Sequence, residues 1–123
     1  MVKPYKLPLT GWQVSSKKKV ALNLNQYRNM HYQSSNKLKH MVSDYLMQYQ
    51  FTIPETFKIH FTLYFKDKRR RDLSNFESVA NKFILDHLVQ RGVIKDDDYT
   101  RYTGYTVEFG GLCDENYIEF KFV

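Results

Sequence analysis

Residues 57–65, FKIHFTLYF, alternate Phe57, Ile59, Phe61, Leu63 and Phe65 with Lys58, His60, Thr62 and Tyr64. Period two over this length predicts a strand with one buried face, and that face needs a second layer to cover it. Two segments are patterned to supply the layer. Leu38, Met41, Val42, Tyr45, Leu46 and Tyr49 recur at helical spacing and predict a helix over about 36–50, capped by Ser34 or Ser35. Phe76, Val79, Ala80, Phe83, Ile84, His87 and Leu88 mark the buried side of a second helix over about 75–91. Ser74 and Glu77 have capping-box spacing, and Gly92 supplies the C-terminal stop. Residues 1–19 read as an extended lead-in with one short strand, 20–25 as a strand and 26–36 as a polar and aromatic loop. Strands are expected at 102–109 and 117–123. The order predicts an α+β fold: a single domain over 1–123, a small mixed β-sheet with two main helices packed against it.

No apolar run is long enough to span a bilayer, and MVKPYKLPLTGW has no apolar signal core. Cys113 is the only cysteine, which excludes an internal disulfide and a thiolate zinc site and fits a reducing intracellular compartment. Cys113 itself is read as an inert hairpin or strand residue. The formal net charge is +6, unevenly spread: residues 1–71 hold 14 Lys and Arg against 3 Asp and Glu, and residues 72–123 hold 5 against 10. A basic half of this kind suits a polyanion, since each neutralised phosphate releases counterions.

The charge turns over inside RRRDLSN, residues 69–75. Asp72, Asp86, Asp96, Asp97 and Asp98 are the candidate functional carboxylates. Asn75, Lys82 and Asp86 follow at spacings of seven and four, on one stripe of the second helix. A helix of that length is about 25 Å long. The six residues from Arg91 to Asp97 reach at most about 20 Å. Asp72 from one end and the Asp96–Asp97 segment from the other can share a site near Lys82 only by converging on the helix middle, or a second subunit completes the site. Clustered carboxylates call for a hard divalent cation, and Mg²⁺ beside a lysine and arginines is equipped to polarise a phosphodiester, help ionise the attacking water and stabilise the leaving oxygen. The plainer readings are a surface ion pair for Lys82–Asp86 and a solvated turn for Asp96–Asp98. Tyr102 stands where an EF-hand starting at Asp97 needs glycine, which rejects a calcium loop. His60 reads as a solvent-side strand residue, and His31 has no evident nucleophilic partner. Around His31, Tyr27, Arg28, Asn29 and Tyr32 either stack on bases and contact phosphate or pack as an ordinary loop.

RRRDLSN, NKFILDHL (81–88) and RGVIKDDD (91–98) together resemble the RusA family of Holliday junction resolvases, small phage and prophage endodeoxyribonucleases. A weaker echo lies in LNLNQYRNMH, 22–31. The resemblance implies a homodimeric, Mg²⁺-dependent nuclease cutting branched DNA, with Mn²⁺ able to substitute, in the cytoplasm of a bacterial host. Asp72, Asp97 and Lys82 match the catalytic positions, Lys82 with about one extra helical turn before it. Asp72, Asp96, Asp97 and Asp86 match the metal-binding carboxylates. Lys68, Arg69, Arg70, Arg71 and Asn75, with Arg28 and Lys17, Lys18 and Lys19, are the expected DNA contacts. One departure is Ser74, where the pattern has a second aspartate. The alternative that it raises is a catalytically impaired protein that still binds branched DNA. A basic module with a protein partner is the third reading.

Overall fold

A computed structural model describes residues 4–123; the first three residues of the expected lead-in lie outside the described part. The chain runs β1 (Tyr5–Pro8), β2 (Trp12–Ser15), β3 (Lys18–Val20), α1 (Leu24–Arg28), α2 (Tyr32–Leu46), β4 (Phe57–Phe65), α3 (Leu73–Gln90), β5 (Tyr102–Leu112) and β6 (Tyr117–Phe122). The fold class is α+β. Four strands form a mixed sheet in the order β1-β6-β4-β5, and β2 and β3 form a separate hairpin. β4 pairs parallel with β5 and antiparallel with β6, and β1 closes the sheet antiparallel to β6. No helix among the described residues is long and apolar enough to cross a membrane.

β4 has the bounds that its alternation predicts, and Phe57, Ile59, Phe61, Leu63 and Phe65 are all buried. They meet Leu38, Val42 and Leu46 of α2 and Val79, Ala80, Phe83 and Ile84 of α3 in one core that also takes Ile118 and Phe120 of β6. Ser43 and the buried His87 join α2 to α3 through an Oγ···Nδ1 hydrogen bond of 2.7 Å. α3 ends as expected: Gly92 has φ +71°, Gly92 N–H donates to Val89 O and Val93 N–H to Leu88 O, a Schellman pair.

Several boundaries differ from the sequence reading, each for a local reason. α2 begins at Tyr32 because the His31 ring nitrogen accepts from Gln33 N–H at 3.2 Å and takes the cap expected of Ser34 or Ser35. Ser35 instead donates its hydroxyl to the Tyr32 carbonyl inside the helix. The strand expected over 20–25 stops at Val20; Asn23 then caps α1 by accepting from Asn25 and Gln26 N–H. The Ser74–Glu77 capping box does not form, because Asp72 is the N-cap and accepts from Ser74 N–H at 3.0 Å. The lead-in holds β1, β2 and the start of β3 in place of one short strand.

β5 and β6 are consecutive yet do not pair; they flank β4. The four residues between them pass the carboxyl end of β4, where Cys113 N–H donates to Phe65 O and the Asn116 carboxamide accepts from Lys66 N–H. Cys113 lies in this crossing, its thiol donating to Glu115 O. Gly110 is the extra residue where the β4–β5 register slips, and a Cβ there would come within 2.6 Å of the Tyr64 ring. Gly110→Ala is therefore expected to cost about 1–3 kcal/mol through overpacking, read as a lower denaturation midpoint.

Candidate nucleic-acid interface

The parallel β4–β5 pair with α3 as its crossover places the β4 carboxyl end, the 66–72 loop and the α3 N-terminus together, where open α/β sheets bind ligands. A cleft of about 380 Å³ opens there. One wall is Arg69, Arg70, Arg71, Asp72 and Asn75; the other is Thr10, Ala21, Asn23 and Gln26, with Asn116 at the end. Asp72 is the one carboxylate among these lining residues. It caps the positive dipole end of α3, which favours an anion in the cleft.

The basic cluster divides into scaffold and contact. Arg71 has only 12% of its side chain exposed. Its guanidinium lies over the Phe65 ring at 4.5 Å and pairs with Asp67 at 3.0 Å. The Arg69 N–H that Asp67 accepts, and then its bonds with the Arg71 side chain, hold the Asp67 carboxyl below its ordinary range. Arg71 thus folds the loop, while Lys68, Arg69 and Arg70 are exposed. Lys18 and Lys19 line a neighbouring cavity of about 480 Å³ with Asn25 and Asn29, and Gln26 borders both cavities. Lys17 is exposed in the β2–β3 turn, and Arg28 is exposed in the last turn of α1. Tyr27 packs edge-on against Phe83 at 5.6 Å, so it is core-facing and not a base-stacking residue, whereas Tyr32 is 66% exposed beside His31.

The structure does not gather the expected carboxylates within one chain. Among the described residues no group of three or more His, Cys, Asp or Glu is placed to hold a metal. Asp86 sits between two lysines: one of its oxygens is 3.5 Å from Lys39 Nζ of α2 and 3.5 Å from Lys82 Nζ. Lys82 and Asp86 are absent from the cleft lining, and about 10 Å of helix rise separates Asn75 from Lys82. Asp96 and Asp97 are exposed in the loop after α3, where Asp97 N–H donates to the Asp96 carboxylate. Asp98 accepts from Thr100, which holds its carboxyl low and makes it a turn former. Mg²⁺ commonly takes one or two carboxylates and completes its shell with waters and substrate phosphate. The oxygen donors of Asp72 and Asn75 suit an ion held jointly with a phosphate, not a resident ion caged by protein alone.

Two polar groupings escaped the sequence reading. Glu77 is buried on α3 and accepts from the Asn81 carboxamide at 3.0 Å; Asn81 also donates to the Tyr102 hydroxyl, and its own Oδ1 has no partner. Their i,i+4 spacing was legible; their burial was hidden by the capping-box reading. Burial pushes the Glu77 carboxyl up, with Asn81 opposing. A raised folded-state pKa means that the group's contribution is intact below its ordinary value near 4.5 and is lost as pH rises through the folded value. Glu77→Gln, which cannot ionise, is expected to match wild type at pH 4 and to gain relative stability as pH rises above that, checked by urea midpoints across the range. The other grouping lies on the open sheet face, where His60 bonds Glu108 at 2.8 Å and also Thr106, a strand residue facing away from the helices as its alternation implies.

No protein-family model matches the chain, and no curated protein matches it.

Proposed function

We propose that the protein is a Mg²⁺-dependent, structure-selective endodeoxyribonuclease that resolves Holliday junctions and related branched DNA in recombination or repair. It acts as a homodimer, encoded by a phage or prophage, in the bacterial cytoplasm. One observation carries the reading: Asp72 is the lone carboxylate of a cleft walled by Arg69, Arg70 and Arg71 at a helix N-terminus. Arg69 and Arg70 there bind the DNA backbone, and Asp72 with Asn75 faces the phosphate between them. Magnesium, when bound, polarises the phosphodiester and stabilises the leaving oxygen. Asp96 and Asp97, exposed on their loop, are available to complete the site of a second copy.

A second reading is favoured by Ser74 and by the separation of the carboxylates: a branched-DNA-binding protein without cleavage. A labelled four-way junction and a matched linear duplex, each incubated with Mg²⁺ or EDTA, separate the two. Nicks in the junction arms with Mg²⁺ alone are expected. A salt-sensitive shift of the junction without nicks would support the second reading, and neither nicks nor a shift would remove both.

A further inference from the structure

On the β5 side of the arginine loop lies a second cavity, of about 330 Å³, lined by Phe65, Phe109 and Leu112 with Lys68, Arg69 and Arg71 around them. Asp67 also lines it, but pairs with Arg71 at 3.0 Å and lies 3.7 Å from Arg69. Two groups lie against the Phe65 ring. The Arg71 guanidinium lies over Phe65 at 4.5 Å, and the Phe109 ring lies within 18° of parallel to Phe65 at 6.3 Å between centroids. Phe65 is buried, whereas Phe109 is 53% exposed and Leu112 48% exposed. We infer that this cavity is a nucleobase site, in which an unpaired base of the bound DNA stacks on Phe109 while Lys68 and Arg69 hold the adjoining phosphates. The inference rests on the DNA reading above and deepens it: Phe65, Arg69 and Arg71 border both cavities, so a strand gripped in the cleft has its next nucleotide beside Phe109.

The chemistry favours a base over a second copy of the chain. β5 is an edge strand, and its exposed Tyr105 and Phe109 are apolar enough to attract another strand. A two-fold contact, however, sets one patch against itself and would bring Lys68 and Arg69 of both copies together. A nucleotide offers the opposite charge together with a flat ring, and base–aromatic stacking tolerates any sequence. Because bases at a branch point unpair at lower cost than bases inside a linear duplex, the site would favour branched DNA.

The test uses full-length protein with DNA carrying 2-aminopurine at an unpaired position, and a fully paired duplex as control. Wild type is expected to quench the probe by stacking. Phe109→Ala is expected to lose the quench and to bind the unpaired substrate about tenfold more weakly, with duplex affinity unchanged; Phe109→Trp restores the quench. Wild-type binding without a quench, or an equal loss on both DNAs, overturns the inference. So does a Phe109→Ala protein that changes only its sedimentation, which would assign the patch to self-association. Failure of wild type to bind either DNA overturns the DNA reading itself, and this inference with it.

Discussion

Asp72→Asn is expected to lose junction cleavage by at least about 100-fold while keeping its fold and its grip on DNA. Changing a group that only supports a metal ligand costs about 10–100-fold, and removing the ligand's own charge should cost no less. Asp72 is also the N-cap of α3, accepting from Ser74 N–H at 3.0 Å. Asparagine caps a helix about as well as aspartate, so the substitution removes the charge and leaves the cap; only the dipole interaction is lost, under about 1 kcal/mol. Binding should hold or tighten, because a negative charge leaves a cleft lined by three arginines. Asp72→Ala separates the two roles, since it also loses the cap, at about 1 kcal/mol. Cleavage by Asp72→Asn at the wild-type rate would refute the assignment of the site.

Phe83→Ala is expected to cost about 3–5 kcal/mol, a large share of a typical stability of about 5–15 kcal/mol. Phe83 is 2% exposed on α3 and meets the Tyr27 ring edge-on. α1 has five residues, none of them buried, and Tyr27 is its packed aromatic. The loss should therefore reach function: Asn23 and Gln26, one wall of the cleft, are carried by that segment. Urea unfolding should give a lower midpoint with little change of slope, and DNA binding should weaken even where the variant is folded. A variant with a wild-type midpoint would mean that the contact between α1 and α3 contributes little.

What was legible in the sequence follows the range of the forces involved. β4 shows its period directly, and α3 its apolar side and its Gly92 stop, because each pattern is written in neighbouring residues. α1 is too short to show a stripe, and α2 starts early because a histidine caps it. Sheet order was hidden, since the crossing from β5 to β6 past the end of β4 depends on pairings far apart in sequence. The site divides in the same way. The arginines and Asp72 are adjacent, so their charge boundary was plain. Thr10, Asn23 and Gln26 reach the cleft only because β1 pairs with β6 and brings the N-terminal segment over the arginine loop. Asp86, expected at a metal, is claimed instead by Lys39 from a helix more than forty residues earlier as well as by Lys82.

The most direct measurement is a crystal of the protein with a short branched DNA and Mn²⁺, with manganese located by its anomalous signal. The expected result is a phosphate between Arg69 and Arg70 and a manganese bound to the Asp72 carboxylate in both protomers, with Asp96 or Asp97 approaching from either copy. DNA lying along the open face beside His60 and Glu108, with no manganese at Asp72, would contradict the account.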